Sequence, residues 1–347
     1  MPASFLKKIS VILSLSILSS CGGGGGGEDV PVSSEEINHT IVKVSVSVGG
    51  DAFCAIDDNG VICWGADREG NTIVPDNLVN PSDVSIGYEH ACAIDDIGVS
   101  CWGSNDWGKS SVPDTLSNPI SVTAGVNHTC ANDDNGVTCW GINEDLMNTS
   151  QEGVTAVSAI SLGYVHTCAL GDAGANCWKN DLYNISAELD PTVVPLGISN
   201  PVAISTGGAY SCVIDDNGVL CWGGAEFSNG QSLPWDNGLT PMNLNVPSDI
   251  SSGATRTCVI DNSGVSCWSG YADYQRLIPE TCDDGVTTCW RTYEPYKNTP
   301  QVQLDRPTQI SVGERYACAI DKNGVSCWLL EFGVFTTQTN DLSTLMQ

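Results

Sequence analysis

Positive charge is scarce in this sequence. Lysine and arginine number 13 against 41 aspartates and glutamates, a formal net charge of −28 over 347 residues. A field of that sign repels phosphate backbones, so nucleic acid is not expected as a partner. Histidine is scarcer still, at four residues. The chain has no Gly-x-Ser-x-Gly elbow, no glycine-rich phosphate loop and no His-Glu-x-x-His pair. Common signatures of serine hydrolysis, nucleotide binding and zinc hydrolysis are therefore missing. No nucleophile–base arrangement stands out, so the chain is not expected to be an enzyme, and neither metal nor cofactor is expected. The acids are scattered rather than run together, as on a solvated surface.

Glycine (37), cysteine (17), proline (16) and tryptophan (10) are plentiful instead, a mix that points to many short strands and turns. Lys7 and Lys8 open a short positive region, and Ile9 to Leu18 is apolar apart from its serines. That stretch is too short for a permanent transmembrane helix, and no later segment reads as one. Leu18-Ser19-Ser20-Cys21 resembles the lipobox of bacterial lipoproteins. The resemblance implies a signal peptide at 1–20 and lipidation of Cys21. Gly22 to Gly27 and the polar residues up to 38 read as a tether, with His39 just beyond it. Removing 1–20 takes two lysines and no acid, for a mature net charge of −30. Gly22 stands where an aspartate is associated with inner-membrane retention, so the expected location is the outer membrane, periplasmic or surface-facing.

Residues 39–347 are dominated by a repeated unit, Gly-x4-Cys-x8-Cys-Trp, present seven times. Its cysteines are Cys54 and Cys63, Cys92 and Cys101, Cys130 and Cys139, Cys168 and Cys177, Cys212 and Cys221, Cys258 and Cys267, and Cys318 and Cys327. The leading glycines are Gly49, Gly87, Gly125, Gly163, Gly207, Gly253 and Gly313. Each cysteine pair brackets apolar arms around a polar, glycine-containing turn, which reads as a β-hairpin. Setting Cys54 opposite Cys63 puts Ile56 opposite Val61 on one face. Ala55, Ile62 and Trp64 take the other. Both faces are largely apolar, so each hairpin is expected to be buried between two other sheets. Pro81, Pro119, Pro201, Pro247 and Pro307 lie six residues before the glycine and mark the start of a further short strand.

Gly87-Tyr-Glu-His90-Ala-Cys-Ala-Ile94, Gly98 and Trp102-Gly103 resemble the regulator of chromosome condensation repeat, and Gly125 to Gly141 match it nearly as closely. The resemblance covers about residues 40 to 335. It implies an all-β, seven-bladed β-propeller, with one bridged hairpin per blade, in a bacterial exported form. The family's Gly-Gln-Leu-Gly segment is degraded here, Gly230 to Leu233 being its nearest trace. Its histidine becomes Ala52, Tyr210, Arg256 and Tyr316 in four units.

Apart from Cys21 the cysteine count is even, which in an exported chain favours disulfides. Opposed residues on antiparallel strands lie near ~5 Å between Cα atoms, within disulfide reach. Structural zinc needs closer cysteine spacings than these. Cys282 and Cys289, in the longest insertion, form the eighth expected pair.

His90, His128 and His166 recur at one position of neighbouring units and could in principle ligate a metal. The family resemblance assigns them to packing. The turns at Asp57 to Gly60, Asp133 to Gly136 and Asp215 to Gly218 are too short to ligate calcium alone and read as turn chemistry. The insertion between the sixth and seventh units carries Tyr271, Tyr274, Trp290, Tyr293 and Tyr296, candidate partner-binding aromatics that could equally cover a blade. Trp107 and Trp235 are further candidates on rim loops. The expected function is a lipid-anchored module that binds a protein or a glycan at the cell envelope and touches the membrane through its lipid. The alternatives are inhibition of a secreted enzyme, guanine-nucleotide exchange, and hydrolysis or lysis of polysaccharide.

Overall fold

Each repeat folds as three antiparallel strands, because two tight turns return the chain on itself at fixed spacing. In the computed structural model the described residues are 43–46, 51–141, 156–164, 166–179, 190–226, 244–269 and 304–330. Short strands at 9–11, 37–39, 232–234 and 297–298 complete them. The first or inner strands are Lys43–Val46, Asp83–Ile86, Ser121–Ala124, Ala159–Leu162, Ala203–Thr206, Asp249–Ser252 and Gln309–Val312. The middle strands are Ala52–Asp57, His90–Asp95, His128–Asp133, His166–Gly171, Tyr210–Asp215, Arg256–Asp261 and Tyr316–Asp321. The outer strands are Gly60–Gly65, Gly98–Gly103, Gly136–Gly141, Gly174–Lys179, Gly218–Glu226, Gly264–Ser269 and Gly324–Leu329. A fourth strand is described in two blades: Ser232–Pro234 in the fifth and Lys297–Asn298 in the sixth.

The inner strands pack against one another in order, and Gln309–Val312 packs against Lys43–Val46. The ring therefore closes, and the fold is a seven-bladed β-propeller. Gln309 clasps the closure: its Oε1 accepts the Val44 N–H and its Nε2 donates to the Val44 carbonyl, both at 3.2 Å.

The core lies between blades. Each apolar cluster joins the cysteine-bearing face of one hairpin to the tryptophan-bearing face of the next. Cys92 and Ile94, for example, pack with Val122, Ala131 and Trp140. Cys54 and Ile56 pack with Val84, Ala93 and Trp102. The two-faced hairpin read from the sequence is thus what joins blades into a ring. Its burial is uneven, however. Ala52–Asp57 is buried throughout, whereas Gly60–Gly65 is largely half-exposed and Ile62 is 42% exposed. The outer strand lies at the rim, where solvent reaches it.

Seven disulfides join the expected pairs, and every pair is directly opposed across its hairpin, as Cys54↔Cys63 and Cys168↔Cys177 are. Cys21, Cys282 and Cys289 lie outside the described residues. The repeated glycine has a steric cause. A Cβ on Gly163 would stand 2.3 Å from the Gly207 carbonyl oxygen, and one on Gly253 would stand 1.8 Å from that of Gly313. At Gly87, Gly163, Gly207 and Gly253 the turns between inner and middle strands therefore touch the next blade backbone to backbone, which only glycine permits, whereas at Gly125 the nearest atom is the carbonyl oxygen of its own blade's His128.

Candidate functional site

The histidines face the boundaries between blades. His90 Nε2 lies 2.7 Å from Thr129 Oγ1, His128 Nε2 3.0 Å from Thr167 Oγ1, and His166 Nε2 2.8 Å from Ser211 Oγ, each on the following blade. Thr129 donates its one hydroxyl hydrogen to the Lys109 carbonyl at 2.8 Å. Its oxygen must therefore accept from His90, which fixes the Nε2–H tautomer. Ser211 repeats the relay to the Pro191 carbonyl at 3.3 Å. Protonation would place a second, buried N–H on Nδ1, an atom with no partner in His90 and His166. Burial accordingly holds His90 and His166 down to about 3 and His128 to about 4, with neighbouring charge from Lys109 also acting on His90. In the fifth blade Tyr210 takes this place, and its hydroxyl reaches the Arg256 carbonyl at 2.9 Å. The three histidines thus serve packing, as the repeat resemblance implied.

The first aspartate of the hairpin turn, present in every blade but the fourth, where Gly171 stands, is committed in the same way. Asp133 Oδ1 accepts the Asn135 N–H at 2.8 Å and its Oδ2 the Ser117 N–H at 2.7 Å. Asp215 repeats this with Asn217 and Ser199, and Asp321 with Asn323 and Asp305. One oxygen closes the turn and the other pins the segment sixteen residues earlier. Burial works against ionised Asp215 and Asp261, but backbone N–H donors, preceded at Asp261 by the Ser263 hydroxyl, outweigh it and hold both below the usual carboxylate range. The second aspartate binds an asparagine in the left-handed region, as Asp96 does Asn80 at 2.6 Å.

The sequence reading gave no role to the serine two residues before the repeat glycine. Ser85 Oγ accepts the Ala124 N–H at 2.9 Å, Ser205 Oγ the Ser252 N–H at 2.8 Å, and Ser251 Oγ the Val312 N–H at 2.9 Å. Each stitches its inner strand to the next. Asp83 and Asp249 act likewise on Val122 and Ile310. Recurrence at one offset was the available signal.

Two further groups of described residues lie at the two ends of the ring. The end formed by the glycine turns carries mixed charge. Arg68 Nη1 donates to the Tyr88 hydroxyl at 2.8 Å, with its guanidinium 4.5 Å from that ring's centre. Lys109, almost fully buried, pairs with Glu89 at 3.0 Å, and Arg315 pairs with Asp51 at 3.0 Å. Burial raises the Tyr164 phenol, and the nearby Glu314 charge and Tyr88 add to this. Trp107 belongs to the same end. It is 66% exposed and adopts φ 64° within the short 3₁₀ turn Asp106–Gly108. Asn105 braces that turn: its Oδ1 accepts the Ser110 N–H at 3.0 Å and its Nδ2 donates to Ser111 Oγ at 3.0 Å. The Ser104 N–H donates to the Glu89 carbonyl at 2.9 Å and ties the turn to the second blade.

At the opposite end, a groove of about 510 Å³ lies between the second hairpin turn and the next connector, lined by Asp96, Ile97, Val112, Pro113 and Asp114. Ile97 is 76% exposed there. Tyr271, Tyr274, Trp290, Tyr293, Tyr296 and Trp235 lie outside the described residues. No group of three or more histidine, cysteine or acidic side chains placed to hold a metal occurs among the described residues.

No family model matches the chain, and no curated protein does. Solved structures do. The ectodomain of the Physcomitrella patens receptor kinase CR4 is 20% identical, with a TM-score of 0.58 over 86% of this chain and 76% of that one. The ectodomain of the Arabidopsis thaliana receptor kinase ACR4 is also 20% identical, with a TM-score of 0.55 over 86% of this chain and 100% of that one. Prp20p from Saccharomyces cerevisiae, the yeast RCC1, is 15% identical, with a TM-score of 0.53 over 83% of this chain and 84% of that one. The likeness at these identities is one of fold, a β-propeller similar to that of the yeast RCC1.

Proposed function

We propose that this chain is a lipid-anchored module of the cell envelope that binds a protein or glycan partner and performs no catalysis. The observation that carries the reading is Trp107, an exposed indole in a left-handed backbone that a non-glycine residue adopts only at an energetic cost. A tryptophan on a braced turn loses little backbone freedom when a partner covers it, and tryptophan is among the residues most enriched at binding hot spots. Among the described residues, by contrast, the three histidines and the first turn aspartates are committed to blade boundaries and turns. Structures of the yeast neighbour concern its binding to Gsp1p and histones and its complex with Kap60, which supports a protein as the partner class. The lipobox-like Leu18 to Cys21 supports the anchor and a signal peptide before it, and Gly22 in place of an aspartate supports the outer membrane as its location.

Two experiments test this. Membrane fractionation with a clickable fatty acid should label the chain and lose the label in Cys21→Ser. Capture from envelope extracts and on glycan arrays should be compared for the mature chain, for Trp107→Ala and for a chain lacking 271–297. The reading expects at least one variant to lose its partner about tenfold or more. Equal recovery by all three, or no saturable partner, removes it.

A further inference from the structure

The boundary between the seventh and first blades differs from those boundaries whose arriving connector is described. In the second blade the Trp102 indole N–H donates to the Asn71 carbonyl at 2.9 Å, and in the fifth the Trp222 indole N–H donates to the Pro191 carbonyl at 2.8 Å. Both carbonyls belong to the connector arriving from the preceding blade. The Trp64 indole N–H, at the same place in the first blade, is buried and has no partner. Trp64 itself is 8% exposed. No covalent connector arrives at that blade from its ring neighbour, the seventh.

Trp140 also lacks a partner, but there the arriving Lys109 carbonyl is taken by Thr129. The first blade has Phe53 at the threonine position, and Phe53 carries no hydroxyl to compete. It stacks on Trp64 at 5.6 Å and meets Tyr316 of the seventh blade edge-on at 5.5 Å. The first blade thus resembles the second, where Ala91 leaves the carbonyl to Trp102. A single backbone acceptor would complete it.

Leu330, the last described residue of the seventh blade, is held as are the residues from which connectors depart in other blades. The Leu330 N–H donates to the Arg315 carbonyl at 2.6 Å, as the Ala66 N–H does to Asp51, the Ser104 N–H to Glu89 and the Gly224 N–H to Ala209. Leu330 is 4% exposed and belongs to the cluster between the sixth and seventh blades. We infer that the residues following Leu330 dock on the Phe53–Trp64–Tyr316 seam as a non-covalent seventh connector, and that a backbone carbonyl among them accepts the Trp64 indole N–H. Asn71 and Lys109 each lie seven residues after their blade's tryptophan. The same count from Trp328 reaches Phe335.

The test compares hydrogen exchange of the indole N–H groups by NMR in the full chain and in a chain ending at Leu330. Trp64 should be protected to within about tenfold of Trp102 in the full chain, and should exchange at least about 100-fold faster in the shortened one while Trp102 is unchanged. Equal Trp64 exchange in the two chains overturns the inference. Should the shortened chain fail to fold, a full chain with p-benzoylphenylalanine at position 335 decides. A cross-link to the segment containing Phe53 and Trp64 within one chain supports the assignment. Cross-links confined to other blades, or formed between two chains, overturn it.

Discussion

His90 donates its Nε2 hydrogen to Thr129 Oγ1 across the boundary of the second and third blades, and Thr129 passes the chain of hydrogen bonds to the Lys109 carbonyl. One hydroxyl satisfies two buried groups on two elements. In Thr129→Val the buried His90 N–H loses its acceptor while shape is kept, the Lys109 carbonyl being left to the Trp140 indole, and an unpaired buried group is expensive. The expected loss of stability is roughly 3 kcal/mol, against under about 1 kcal/mol for Thr129→Ser, which keeps the oxygen. Urea midpoints of the two variants check this. Equal midpoints would mean that the contact contributes nothing.

These histidines also set how the ring responds to acid. Unfolded, an imidazole titrates near 6.5; in the ring, burial holds His90 and His166 down to about 3 and His128 to about 4. Between those limits the unfolded chain binds more protons, so falling pH favours unfolding. The stability due to the neutral imidazoles is complete above about pH 6.5 and is lost progressively toward pH 4. Asp249 acts in the opposite direction, because burial raises its carboxyl to about 6. In the folded state it takes up a proton below that pH, a contribution to stability that is lost as pH rises through 6. Thermal midpoints measured from pH 7 to 4 should fall, and the fall should be steeper in Asp249→Asn. A flat profile in both proteins would contradict the burial of the three rings.

The hairpins were legible because their logic is local. Cys92 and Cys101 are nine residues apart, and register alone sets them opposite one another. The burial of His90 was legible through its repeat position, but its acceptor was not. Thr129 lies 39 residues away in the next unit, and nothing near His90 in the sequence points to it. The second oxygen of Asp133 and the hydroxyl of Ser85 escaped for the same reason: their partners are neighbours only once the ring has formed. The exposure of Trp107 follows from a positive φ that residue type does not announce. The aromatic insertion drew attention by composition, which says what a loop contains and not where it lies.

The glycines separate two steric demands that the sequence writes with one letter. Gly163→Ala would set a Cβ 2.3 Å from the Gly207 carbonyl oxygen, a backbone atom of the next blade. Relief requires shifting two blades, and the expected loss is about 3 kcal/mol, at the upper end of overpacking costs. Gly98→Ala meets no atom within 4 Å, although its φ of +141° is unfavourable for alanine. Its loss should be about 1–2 kcal/mol, from backbone conformation alone. Urea denaturation at constant m-value distinguishes the two. Equal losses would mean that blade contact at the axis imposes no constraint.

Each sulfur bridge closes a short loop inside a hairpin whose strands already pair, so removing one should loosen a blade without opening the ring. Cys130 and Cys139 are both buried against the fourth blade, together with Leu162 and Ala169. Replacing both with serine removes the cross-link and buries two hydroxyls against apolar neighbours. Loss of the closed loop alone is worth about 2–3 kcal/mol by chain entropy, and the hydroxyls add to it. The double variant should therefore fall by more than the single Cys130→Ala, Cys139→Ala pair, which sheds the same bridge without burying hydroxyls. Alkylation of the unreduced protein should modify none of the fourteen hairpin cysteines. After full reduction the blade-to-blade apolar contacts remain, so the far-ultraviolet signal should persist at 25 °C while the thermal midpoint drops. Modification of any hairpin cysteine before reduction would break the assignment of one bridge per blade.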